Sequence, residues 1–197
     1  MMRRFICNAS FLLCLLPAVS VEAQNVIPTK MVGQPLMYMK EGEVEGCGMR
    51  IIGGRPTAKA DEWEWFDVSI NVYSNGGGLV KIVSYDINAP KMQATGAKPK
   101  PLKVRSGWLK APGKSGTTPI DGKSAVADDG VSLLYGTDLD RTMPMFQAYF
   151  QNETISVAVR RASQPTETVY SGVIEMDAAE DKQIRGCLSE LVSKWPK

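Results

Sequence analysis

Nine residues constrain the fold more than any others. From Trp65 to Tyr73 the chain alternates strictly, with Phe66, Val68, Ile70 and Val72 on one side and Asp67, Ser69, Asn71 and Tyr73 on the other. That period of two is the mark of a strand with one buried face. Ser74-Asn75-Gly76-Gly77-Gly78 follows and supplies the positive φ angles a tight reversal needs. Leu79 to Tyr85 is the expected return strand. The triple glycine reads as a hairpin turn and not as a phosphate cradle, because no helical pattern follows it.

The same signal recurs near the end. Ile155, Val157 and Val159 alternate with Ser156, Ala158 and Arg160, Ser163-Gln164-Pro165 turns the chain, and Thr168 to Met176 returns. Asp177, with Glu180 three residues on, then opens a helix running to about Lys194. Ile184, Cys187, Leu188, Leu191 and Val192 form its expected buried stripe. A shorter helix is expected from about Thr137 or Asp138 to Phe150, carried by Leu139, Met143, Phe146, Tyr149 and Phe150, with Pro144 inside it. Ahead of the first hairpin, Gly46 to Ile52 reads as a strand ended by Gly53-Gly54-Arg55-Pro56. The expected fold is α+β: a hairpin-built antiparallel sheet of about five or six strands, a C-terminal helix packed on it, and one further short helix.

Four segments follow from this pattern. Residues 1–23 read as a cleaved signal peptide: Arg3 and Arg4 precede the apolar run Phe5–Val19, and Val21-Glu22-Ala23 resembles a small-x-small cleavage site. The run is shorter than the ~20 residues of a membrane span. Residues 24–45 read as an extended lead-in, and 46–197 as one α+β domain. Within that domain, 87–136 is a long excursion, basic first and acidic afterwards. No apolar run after the leader is long enough to span a membrane.

With Cys7 and Cys14 in the leader, Cys47 and Cys187 remain. Two thiols in an oxidising compartment are expected to pair, stapling the first strand to the last helix. Closing a loop of about 140 residues is worth about 4 to 5 kcal/mol in the chain-entropy view. The leader and the sparse cysteines point to export, to a periplasm first and to a secreted protein as the alternative.

Histidine is absent. That removes Ser-His-Asp and Cys-His catalysis, histidine metal sites and imidazole switching. Gly113-Lys114-Ser115 lacks the spacing and the following helix of a phosphate-binding loop. No metal, cofactor or catalytic residue is assigned, and a formal charge of +2 does not single out nucleic acid as a partner.

The one segment singled out as a candidate site is the basic part of the excursion. Lys98, Lys100, Lys103, Arg105, Lys110 and Lys114 surround Trp108, with no acidic residue between 87 and 120. Such a set suits an anionic surface or another envelope protein; against that stands plain solvation, or neutralisation by the acids of 121–140. Trp63 and Trp65 read as sheet packing. The leading function is an exported, non-catalytic binding or accessory protein of the cell envelope, stabilised by one disulfide. Two alternatives stand beside it. One is a histidine-free hydrolase using Ser and Lys (Ser106 and Lys110 are four apart) or paired carboxylates. The other is periplasmic copper handling by Met37, Met39, Met143 and Met145, because thioethers suit Cu(I).

Overall fold

In a computed structural model of the chain, residues 26–96 and 98–195 are described. The leader, with Cys7 and Cys14, lies outside them. The first elements are β1 (Val26–Pro28), β2 (Met31–Lys40), β3 (Glu43–Pro56), β4 (Glu62–Tyr73) and β5 (Gly77–Asn88). Then come α1 (Ala89–Thr95), β6 (Pro101–Leu102), β7 (Val104–Lys110), a 3-10 turn at Ile120–Gly122 and β8 (Ala125–Val126). Last are β9 (Leu133–Asp138), α2 (Leu139–Phe150), β10 (Ile155–Arg161), β11 (Thr168–Gly172), β12 (Ile174–Glu175) and α3 (Ala178–Ser193).

The strands form two sheets. The small sheet has the order β1-β11-β10-β7. The large one has the order β12-β2-β3-β4-β5-β9-β8, with β6 pairing with β5 beyond the end of β9. Pairing is antiparallel except for β1 with β11 and β12 with β2. The α+β class stands, but the described residues hold twelve strands, not five or six. Three causes account for the excess. Several strands are only two or three residues long, too short to show a period. Two runs of chain bend and contribute to both sheets: β1 leads into β2 and β11 into β12, passing from the small sheet to the large one. The ten residues of β2 fall in the segment read as a lead-in.

That shared corner needs a glycine. Thr29 N donates to Ser171 O at 2.8 Å, and a Cβ on Gly172 would lie 2.0 Å from Thr29 O. The bent backbones touch, and no side chain fits between them.

The predicted hairpin is β4 and β5, extended at both ends. Val68 faces Ile82, and Gly76 takes the positive φ of 80°. Gly53-Gly54-Arg55-Pro56 does not end β3. The ring of Phe66 crosses Gly53 and the ring of Trp65 crosses Gly54, each occupying the space of a missing Cβ. The strand is thus continued by its neighbours' side chains. Of the segment read as a lead-in, residues 24 and 25 lie outside the described residues, 26–28 form β1, and 31–40 are paired along their length as β2, which turns at Glu41-Gly42 into β3. Past Val32 that strand has β3 alone beside it, so Pro35 lacks no ladder partner.

Phe66, Val68, Ile70 and Val72 are fully buried on the inner face of the large sheet. Burying a side chain of this size is worth about 1.5 to 3 kcal/mol. The small sheet covers one part of that face: Phe66 meets Tyr170 with ring centroids 4.7 Å apart. Gly107 on β7 leaves room for Ile82. The helices cover the rest. Asp138 caps α2, and Pro144 lies inside it, midway along the helix. The deepest α2 residues are Met145, Phe146, Ala148 and Thr142, while Leu139, Met143, Tyr149 and Phe150 pack at the core's margin. The helix is embraced on more sides than a surface stripe allows.

Asp177 and Glu180 form the expected capping box of α3. Ile184, Cys187, Leu188 and Leu191 are buried, but Val192 is 44% exposed at the fraying end. Cys47 on β3 and Cys187 on α3 are joined by a disulfide with Cα atoms 5.8 Å apart, as expected. No described helix is long and apolar enough to cross a membrane.

Candidate functional site

The excursion of 87–136 supplies the end of β5, all of β6, β7 and β8 and the start of β9 to the sheets, and its remaining described residues are helix, turns and loops. Asn88 caps α1 by accepting from Lys91 N, β6 follows, and β7 forms an edge of the small sheet. Lys98 and Lys100 lie on the exposed connection between α1 and β6. Lys103 immediately precedes β7, Arg105 sits at a register shift opposite Arg160 and Arg161, Lys110 ends the strand, and Lys114 lies in the turn beyond it. All six are exposed. None makes an ion pair with a described residue. The acids downstream do not neutralise them: Asp129 pairs with Lys81 and Asp138 with Arg141.

Trp108 is held differently from these cations. Its indole N–H donates to Glu167 Oε2 at 2.8 Å, while Ser106 Oγ donates to Glu167 Oε1 at 3.0 Å. The ring is thus anchored on the outer face of the small sheet. It also lines a cavity of about 320 Å³ with Lys110, Ser156 and Val169. Ser106 and Lys110 share a strand, so four positions separate them by about 13 Å instead of one helical turn. The methionines disperse: Met31, Met49 and Met145 are core residues, while Met37 and Met39 are exposed on β2.

The edges of β7 are covered on both sides. Val104 N donates to Val131 O, and Leu109 exchanges bonds with Thr117 through both its N–H and its carbonyl. Thr117 Oγ1 lies 2.9 Å from Tyr135 Oη, and burial pushes that phenol up to about 12.

The outer face of the large sheet holds a second set of residues, which the alternation pattern had assigned to packing or to solvent. Here β3 contributes Gly46, Gly48, Arg50, Ile52 and Gly54. Tyr73 leans over Gly46, Asn71 over Gly48 and Trp65 over Gly54. At one end Trp63, Trp65, Val32, Ile52 and the β1–β2 bend line an apolar groove of about 690 Å³. Trp63 is 39% exposed there. Register puts Tyr85 opposite Trp65, and Asp67 opposite Ile52.

Past that row lies a polar basin of about 250 Å³, lined by Arg50, Asp67, Ser69, Lys81, Tyr85 and Asp129. Arg50 Nε and Nη2 donate to the two Asp67 oxygens at 2.9 and 2.5 Å, and Nη1 donates to Gln34 at 3.3 Å. The hydrogen bond to Asp67 holds the Arg50 guanidinium pKa above its ordinary value. Asp129 accepts from the Ser132 hydroxyl and from the N–H groups of Val131 and Ser132. These bonds, with Lys81 nearby, hold its carboxyl well below the usual carboxylate range. Burial, with the Asp67 charge second, pushes the Tyr85 phenol up.

One sequence signal marked this face. The side of β4 opposite Phe66 and Val68 carries Trp63, Trp65 and Tyr73 where a purely solvated face would be polar throughout. The glycines of β3 on the same face could not be matched to those rings without the register.

The chain matches no protein-family profile, no curated protein and no solved structure.

Proposed function

We propose that this is an exported, non-catalytic binding protein of the cell envelope, periplasmic in location, whose basic edge engages an anionic surface. One observation carries the reading: Lys98, Lys100, Lys103 and Arg105 are close in sequence, exposed, and without an ion-pair partner among the described residues. Charges held this way are available to a partner; charges committed to internal pairs are not. The disulfide supports export, because such bonds persist in oxidising compartments. A basic side chain near an anionic surface contributes about 1 kcal/mol at moderate salt, so four of them change affinity by about a thousandfold.

The test is a quadruple neutralisation, Lys98→Gln, Lys100→Gln, Lys103→Gln and Arg105→Gln, in the disulfide-bonded protein. Binding is measured to phosphatidylglycerol vesicles and, separately, to a soluble acidic polysaccharide. The expected result is salt-sensitive binding in one arm, lost in the variant, with the thermal midpoint nearly unchanged. Equal binding by the variant, or none by the parent protein in either arm, overturns the proposal.

A further inference from the structure

The outer face of the large sheet adjoins the basic segment at Pro101, which pairs with Tyr85 and lines the basin, but none of Lys98, Lys100, Lys103 and Arg105 lines it, and its chemistry is different. It combines a row of flat aromatic side chains with a dense set of charge-paired donors and acceptors. Trp63 and Trp65 stand two positions apart on β4, and Tyr85 stands opposite Trp65 on β5. Beside them, Arg50 with Asp67 and Lys81 with Asp129 supply two cations and two anions. We infer that this face is a binding site for a neutral oligosaccharide of equatorially substituted pyranose rings, such as a β-1,4-linked glucan-type chain.

Three features select that class. First, such a pyranose shows flat, C–H-lined faces that pack on aromatic rings, and the groove beside Trp63 and Trp65 is mainly apolar, with Ile27, Val32 and Ile52 in its lining and Thr29, Lys30 and Arg55 as its polar members. Second, the basin next to it retains hydrogen-bonding capacity. Three of the five Arg50 N–H groups are used, on Asp67 and Gln34, and the Lys81 ammonium makes one contact, at 3.4 Å, to Asp129. Hydroxyls can donate to the carboxylates and accept from the cations, and bonds to charged groups are the stronger kind. Third, the charges in the basin cancel. An anionic or cationic ligand would have to displace a member of an existing pair, whereas a neutral polyol joins both pairs without breaking either. The bidentate Arg50–Asp67 contact also holds these groups in position before a ligand arrives, which lowers the ordering cost of binding.

The groove by itself would equally suit an acyl chain or a proline-rich peptide. The basin on the adjoining row decides against both, since neither brings hydroxyls to it.

Cellotetraose and tetra-N-acetylchitotetraose are the probes. Each is titrated into the disulfide-bonded protein while the tryptophan indole N–H signals are followed by NMR. Saturable shifts at Trp63 and Trp65 with either sugar are expected, with Trp108 unmoved. Trp63→Ala, at an exposed position, is expected to weaken binding about tenfold. Asp67→Asn is expected to weaken it comparably, and the quadruple basic-edge variant to bind as the parent does. No shift with either sugar at millimolar concentration overturns the inference. So does binding that Trp63→Ala leaves intact, or binding of a proline-rich peptide or a fatty acid to this face in place of the sugars. Because the basic-edge variant is the control, failure here is distinguishable from failure of the anionic-surface reading.

Discussion

Arg161 on the small sheet donates to the Asp86 carboxylate on the large sheet at 2.6 Å. The same guanidinium reaches Ser84 Oγ at 2.7 Å, the Tyr85 carbonyl at 2.8 Å and Glu64 at 3.4 Å. A 6% exposed arginine thus ties β10 to both β4 and β5. Its partners satisfy it, which is the condition under which a buried charge is tolerated.

Replacing it should therefore be costly. Arg161→Met keeps the bulk but removes every hydrogen bond of the guanidinium and leaves the Tyr85 carbonyl without that donor, while Ser84 keeps the Trp65 carbonyl, Glu64 keeps Arg55 and Asp86 turns to water. The expected loss is about 3 kcal/mol, read as a lower urea midpoint with an unchanged slope. Arg161→Lys should recover little, because an ammonium cannot reach four acceptors spread across two strands. A variant as stable as the parent would show that this clamp contributes nothing net.

The disulfide gives a second prediction. It joins residues 140 apart and holds α3 on β3. Cys47→Ala with Cys187→Ala, or full reduction, should lower stability by about 4 to 5 kcal/mol. Cys47 and Cys187 should become alkylatable only after reduction, as mass spectrometry of the labelled peptides would show. Ready alkylation of either one in the native protein, or an unchanged melting midpoint on reduction, would contradict the staple.

Alkaline pH supplies the third. Burial raises the phenols of Tyr135 and Tyr170 to about 12 from an ordinary value of 10.0. Below pH 10 both folded and unfolded chains keep these protons, so the phenols add no pH dependence. Between 10 and 12 the unfolded chain releases them first, so stability falls as pH rises and the contribution is lost by about 12. Each shift corresponds to about 3 kcal/mol over that window. Tyr135→Phe should lose about 1 kcal/mol at pH 8, from its hydrogen bond to Thr117, and show a shallower decline between pH 10 and 12. Denaturant midpoints at pH 8 and pH 11 for both proteins check the sign. A parent midpoint that does not fall between them would contradict it.

The candidate surfaces were legible in the sequence to different degrees. The bases of 98–114 stood out because charge density is a property of neighbouring residues. That two of them, Arg105 and Lys110, lie on the edge strand β7 was set by the sheet pairing, and that all six escape internal pairing depended on where Asp129 and Asp138 found their partners. Arg161, Glu64 and Asp86 carried no mark at all: they are 75 and 97 positions apart and meet only because β10 crosses the large sheet.

Local chemistry in the sequence was enough to determine the β4–β5 hairpin, the capped last helix, the α+β class and the pairing of the two cysteines. Period, turn residues and cysteine count act over short ranges or by elimination. Tertiary structure alone decided the number of strands, the bent corner at Gly172 and the survival of β3 through Gly53-Gly54. It also decided the meeting of Trp65, Tyr85, Arg50 and Asp67 on one face. The physical reason is register: a glycine, a proline or a two-residue strand has no periodic signature of its own, and its role is set by the side chain that the neighbouring strand places beside it.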